Sequence, residues 1–93
     1  MIQLEDRHLI QLKKILSRYP FVFYIFGSRA KGTAKPLSDI DLLTKHKITK
    51  LQMSSLREEL EESSLPMKVD IVVWDDISAE FQKRIANDLI EIK

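Results

Sequence analysis

The sequence predicts an α/β (α+β) fold, a small mixed sheet of three strands or slightly more with helices packed on it, and three observations lead there. Three short runs rich in β-branched and aromatic residues, FVFYIF (21–26), DIDLLTK (39–45) and KVDIVVW (68–74), have the length and composition of strands. Around them lie three stretches whose apolar residues recur every three or four positions, as on one face of a helix. The chain has 93 residues, the size of one domain, so residues 1–93 are expected to form a single unit.

Each element follows in order. Leu9, Leu12, Leu16 and Tyr19 recur at helical spacing with Ile15 beside them, so residues 5–18 read as an amphipathic helix ended by Pro20. FVFYIF is apolar on both faces, as a covered central strand should be, and Gly27 stops it. Residues 27–38 hold both glycines and Pro36 and read as a loop, with room for a helical turn around Arg29–Lys31. A strand over Asp39–Lys45 comes next. A helix from about Thr49 to Ser63 then buries Met53, Leu56 and Leu60 and turns Glu58, Glu59, Glu61 and Glu62 to solvent.

Pro66 breaks the chain before a third strand, in which Val69, Ile71 and Val73 alternate with Lys68, Asp70 and Val72. Asp75, Asp76 and Ser78 are candidate caps for a last helix that buries Phe81, Ile85, Leu89 and Ile92. No internal repeat, low-complexity tract or linker interrupts this order, and strand directions stay open at the level of sequence.

Composition narrows the function classes. Lys and Arg number 15 against 14 Asp and Glu, so no net field draws a polyanion and direct nucleic-acid binding is not expected. The absence of cysteine excludes disulfides, thiolate metal sites and a cysteine nucleophile, and fits a reducing, cytoplasmic setting. The start, MIQLEDRHLIQLKK, lacks the pattern of a secretory signal and reads as mature sequence. The longest apolar run, Phe21–Phe26, falls far short of the roughly 20 residues of a spanning helix, so no membrane partner is expected.

The chemistry is concentrated in FGSRAKGTAKPLSDIDLL, residues 26–43. On a strand, Asp39 and Asp41 project from one face while Ile40 and Leu42 project from the other. Two carboxylates so close repel unless cations lie between them, and hard oxygen ligands suit magnesium or manganese. Asp70 interrupts an apolar strand on its polar side and is the natural third ligand; three carboxylates can hold the metal pair used in phosphoryl and nucleotidyl transfer. The plainer alternative makes Asp39 a turn cap, Asp41 an exposed strand residue and Asp70 a charged edge position.

Gly27 favours the first reading, because a glycine closing a buried strand lets the backbone and the Ser28 hydroxyl approach a phosphate. GSRAKGT has the glycine spacing of an ATPase-type phosphate loop, but Lys31 precedes Gly32 where that motif needs glycine, then lysine, then Ser or Thr. The dinucleotide fingerprint is absent.

GS followed by DID, with Asp39 eleven residues after Ser28, and a later single aspartate on an apolar strand resemble the nucleotidyltransferase superfamily of polymerase β-like folds. The short GSRAKG form on an FG turn, the small size, and KVDIVVWDD before a helix are similar, within it, to the minimal nucleotidyltransferases, antitoxin partners of HEPN-domain toxins. The resemblance spans essentially the whole chain, and its specificity lies in the combination. It implies a small nucleotidyltransferase fold and transfer of AMP from ATP, with two magnesium ions, to a tyrosine hydroxyl of a HEPN toxin, pyrophosphate leaving. Gly27 and Ser28 would hold the triphosphate, Asp39 and Asp41 both metals, and Asp70 the metal that activates the hydroxyl. Relatives that act on antibiotics or RNA carry a second domain for the acceptor; none is visible here, which favours an acceptor on another protein.

Beside these stand lesser assignments. Arg29 is assigned to the nucleotide, its guanidinium suited to phosphate or to an acidic partner surface; Lys31 reads as solvated. His8 and His46 read as surface histidines, Trp74 as a core or rim aromatic and Tyr24 as packing. A site open on one side in so small a domain is expected to self-associate or to join a heteromer. Two other functions fit less well, a noncatalytic antitoxin acting by occlusion and a nucleotidyltransferase acting on a small molecule or RNA.

Overall fold

The computed structural model describes all of residues 1–93. Its elements are α1 (Asp6–Leu16), β1 (Phe23–Phe26), α2 (Ser28–Lys31), β2 (Ile40–Thr44), α3 (Lys50–Glu62), β3 (Val69–Val73), a 3-10 turn over Trp74–Asp76, α4 (Ala79–Ile85), a second 3-10 turn over Ala86–Asp88, and β4 (Ile90–Ile92). Four strands form one mixed sheet in the order β3-β2-β1-β4. β1 runs antiparallel to β2 and β4, whereas β2 and β3 are parallel. Parallel neighbours cannot be joined by a tight turn, and α3 supplies the crossover between them.

Alternation along the strands sorts side chains between two cores. Phe23, Ile25, Ile40, Leu42 and Ile71 join Leu12, Ile15 and Leu16 of α1 and Leu56 and Leu60 of α3 in the main one. On the other side Phe26, Leu43 and Ile85 form a smaller cluster rimmed by Tyr24, Val72, Trp74, Phe81 and Leu89. Tyr24 and Trp74 thus pack as expected. α3 opens with a reciprocal cap: Thr49 Oγ1 accepts from the Gln52 N–H at 3.1 Å, and Gln52 Oε1 accepts from the Thr49 N–H at 3.0 Å.

Three expectations need correction. β1 begins at Phe23, leaving Phe21 and Val22 outside it, and β2 begins at Ile40, so Asp39 is the last residue of the loop. Glu59 is not simply solvated: its carboxylate accepts from Arg18 Nη1 at 2.9 Å and from the Tyr19 hydroxyl at 3.2 Å, tying α3 to the end of α1. The last helix stops at Ile85, after which Ile90–Ile92 form a fourth strand that pairs Tyr24 with Glu91.

The physical reason lies in two competing patterns. Phe81, Ile85 and Leu89 do pack in one cluster, as helical spacing predicts, but Ile90 and Ile92 pack against the main core on the opposite side of the sheet. Asn87 and Asp88 are weak helix formers, and the otherwise open edge of β1 offers Ile-Glu-Ile a ladder of hydrogen bonds. No helix is long and apolar enough to cross a membrane.

Candidate active site

The register of the parallel pair builds the site. Ile40 pairs with Val69, Asp41 with Asp70 and Leu42 with Ile71. Because Ile40, Leu42 and Ile71 enter the main core, Asp41 and Asp70 emerge side by side on the opposite face, at the end of the smaller cluster. The Ile40 N–H donates to the Lys68 carbonyl at 2.8 Å and fixes the ladder where the pair begins. Asp70 is exposed, with Lys68 Nζ 3.7 Å from its Oδ1, a surface contact of small energetic weight.

On the other flank, Phe26 of β1 pairs with Asp41, and Gly27 follows directly. Gly27 has φ +74°, which L side chains avoid, and a Cβ there would stand 2.6 Å from Asp41 Oδ2. Two effects therefore require glycine at one position. The Gly27 carbonyl accepts from the N–H groups of Ala30 and Lys31, each at 3.1 Å, which coils Ser28–Lys31 into the expected helical turn. Gly32 ends it with φ +78°.

Asp41 carries the electrostatic signature of this arrangement. Partial burial pushes its carboxyl above the ordinary value of 3.8, and the charges of Asp70 and then Asp39 push it further. Asp39 therefore acts on Asp41 from the loop, not from the strand. No three acidic, histidine or cysteine side chains stand close enough to enclose an ion alone. The donor set nevertheless suits a hard cation such as magnesium, which takes few carboxylates and completes its shell with water and phosphate oxygens. Uncompensated negative charge at Asp41 is what a bound cation would relieve.

Arg29 is where sequence reasoning and structure part. Expected at a phosphate, it is only 4% exposed, and its guanidinium is spent on backbone carbonyls. Nε and Nη2 donate to the Ser38 carbonyl at 3.0 and 2.8 Å, Nη1 to that of Gln3 at 2.9 Å, and Nη2 to that of Pro36 at 3.0 Å. Gln3 had no signal in the sequence, because its partners lie about thirty residues away. Its amide brackets Ala34, accepting from that residue's N–H at 2.8 Å and donating to its carbonyl at 3.1 Å.

The remaining assignments stay peripheral. Lys31 Nζ lies 3.6 Å from Asp88, and the His46 ring leans on Phe21 with centroids 5.5 Å apart. Lys45 Nζ stands over Trp74 and Tyr24, 5.0 and 5.5 Å from the ring centres. The largest concavity, about 570 Å³, lies between α3 and the end of β3 and contains no site carboxylate. A second, about 470 Å³, runs between α3 and β3, lined by Arg57, Leu60, Met67 and Val69; of the site carboxylates only Asp70 borders it.

Comparison with known proteins identifies the family and the fold. The family model described as polymerase beta, nucleotidyltransferase matches residues 10–93. The chain is 31% identical over 96 residues to the probable protein adenylyltransferase MntA of Haemophilus influenzae, covering 99% of this chain and 84% of that protein. It is 36% identical over 70 residues to a protein of Methanocaldococcus jannaschii that also bears the name of a protein adenylyltransferase, covering 73% of this chain and 74% of that one. A crystal structure of a toxin-antitoxin with AMP-PNP superposes with a TM-score of 0.69 at 23% identity, over 97% of this chain and 73% of its own. A crystal structure of a toxin-antitoxin MntA-HpeT mutant does so with 0.66 at 22%, over 91% of this chain and 72% of its own. At such identities these two show a shared fold.

Proposed function

The chain belongs to the polymerase beta nucleotidyltransferase family, and from that premise we propose that it transfers AMP from ATP to a tyrosine hydroxyl of a HEPN-domain toxin, in the cytoplasm, as that toxin's antitoxin. The observation that supports this most is the side-by-side register of Asp41 and Asp70 with Gly27 closed against Asp41. The relative named MntA is called a protein adenylyltransferase, and the fold is shared with toxin-antitoxin structures.

In this reading the acceptor oxygen attacks the α-phosphorus of ATP. A new O–P bond forms, the bond from the α-phosphorus to the bridging oxygen breaks, pyrophosphate leaves with its electron pair, and the hydroxyl proton passes to solvent. Gly27 and Ser28 hold the triphosphate, since a turn without a Cβ at Gly27 lets the backbone approach the anion. Asp39, Asp41 and Asp70 are the ligands for magnesium. When bound, magnesium supplies charge neutralisation on the phosphates and a lowered pKa at the attacking hydroxyl. Asp70, exposed on the edge strand β3, is open to an incoming acceptor.

The test is the intact mass of a co-expressed HEPN candidate after incubation with this protein, ATP and magnesium, with Asp39→Asn as control. A gain of one or more AMP units, lost with the variant, is the expected result. A silenced toxin of unchanged mass in a stable complex would replace transfer with occlusion. Modification of an RNA or small molecule by the chain alone would move the acceptor to that class.

A further inference from the structure

We propose that Arg29, braced by Gln3, is the positioning residue of the site: it sets Asp39 in place for the divalent cation and does not bind the nucleotide. The inference rests on the transferase reading for its purpose, but its observations are independent of it.

Arg29 and Thr44 are the only buried polar side chains of the chain. Taking a guanidinium out of water is costly unless its donors are satisfied. Here they are satisfied by neutral carbonyls, and no ion pair involves Arg29. Such an arrangement gives little net Coulombic gain but strong geometric definition, because the planar fork fixes several acceptors at once.

What it fixes is the approach to Asp39. Two of its bonds converge on the Ser38 carbonyl, part of the peptide unit that leads into Asp39. Another holds Pro36, and Ser38 closes its own turn through Lys35, accepting that residue's N–H at 2.9 Å through Oγ and donating its own N–H to the Lys35 carbonyl at 3.0 Å. Asp39 itself is exposed and outside β2, so no ladder orders it; the clamp on the preceding peptide does. Arg29 sits one residue after Ser28 on the turn that contacts Asp41, so one side chain ties the phosphate turn to the loop delivering Asp39. The N-terminal segment completes the brace. The Gln3 N–H donates to the Arg29 carbonyl at 2.8 Å, the Gln3 carbonyl accepts from Arg29, and the Gln3 amide brackets Ala34.

Arg29→Lys is the informative variant, since an ammonium keeps the charge but cannot span these carbonyls. Mn²⁺ binding is read from the free-ion EPR signal in the presence of a non-hydrolysable ATP analogue, with thermal unfolding recorded alongside. The expected result is roughly tenfold weaker Mn²⁺ binding, the range seen when a partner that orients a metal ligand is removed. The half-saturating magnesium concentration for transfer should rise by the same factor, with KM for ATP at saturating magnesium changed less than about twofold. A raised KM for ATP with unmoved Mn²⁺ affinity would make Arg29 a nucleotide contact and overturn the proposal. So would a lowered unfolding temperature with both constants unmoved, the mark of a purely structural role.

Should Arg29→Lys fail to fold, Gln3→Ala decides. It removes only the exposed bracket on Ala34, and a fall in Mn²⁺ affinity smaller than that expected of Arg29→Lys supports the proposal, whereas none overturns it. A wild-type chain that binds Mn²⁺ and loses it on substitution, yet transfers nothing to any acceptor, would refute the transferase reading and leave the assignment of Arg29 standing.

Discussion

Gly27 and Gly32 both have positive φ, yet only Gly27 touches the chemistry. A Cβ at Gly32 meets nothing within 4 Å, so Gly32→Ala should cost only the left-handed backbone penalty of about 1 kcal/mol and leave activity within about twofold. Gly27→Ala drives a methyl into Asp41 Oδ2 and, on the proposed mechanism in which Asp41 would hold magnesium, should reduce transfer by about a hundredfold or more. Parallel assays and melts of the two variants measure the difference directly.

Asp41 gives a pH prediction whose sign follows from its raised pKa. Between the unfolded and folded values the native state binds more protons, so stability from this group is fully present below the unfolded value and is lost as pH rises through the folded one. Asp41→Asn should therefore melt above wild type at neutral pH, with the gap closing in acid, while losing transfer by at least about a hundredfold. A variant that melts below wild type at neutral pH would contradict the crowding of carboxylates at this position.

Among the elements, β4 is the one whose contribution is least apparent from its three residues. It covers the second edge of β1 and sends Ile90 and Ile92 into the main core. Ile90→Ala should cost about 1 to 2 kcal/mol in denaturant unfolding, less than the 2 to 5 typical of a fully buried isoleucine, because Ile90 is only partly covered. A change within error would mean that β1 holds its place without this edge.

The sequence was legible where a pattern is local. Strand alternation located Asp70 on the polar side of β3, helical spacing located α1 and α3, and the glycine turn located α2. It was not legible where two elements distant in sequence decide the outcome. Residues 89–92 satisfy a helical and a strand pattern at once, and the open edge of β1, 65 or more residues earlier, selects the strand. Arg29 looked like a phosphate ligand because it follows Ser28, but the carbonyls of Gln3, Pro36 and Ser38 claim it first. The capping box at Thr49 and Gln52 was readable as T-x-x-Q and is the one local signal passed over.

Over the whole molecule the two faces of the sheet are unequally covered. α1 and α3 roof one face, while the seven-residue α4 covers only part of the other. The carboxylates therefore lie at an open end within a body of 33 × 32 × 20 Å, where an incoming protein chain can reach them. Ligand linkage makes this testable without any acceptor. Magnesium together with a non-hydrolysable ATP analogue should stabilise the fold by about 2.7 kcal/mol at a hundred times the dissociation constant. Asp41→Asn should abolish that gain in a thermal shift assay, and an equal shift in wild type and variant would place the nucleotide elsewhere.

The parallel register of β2 and β3 also has a kinetic meaning. Asp41 and Asp70 are 29 residues apart in the chain, and they meet only after α3 has formed and folded back, a closure whose entropy must be met before the contact returns anything. A chain emerging from synthesis as far as α3 already carries the glycine turn and both aspartates of the DID segment, yet has no paired carboxylates. The site is thus assembled only when β3 closes onto β2, so a chain that ends before β3 carries the glycine turn and the DID segment without Asp70 beside them.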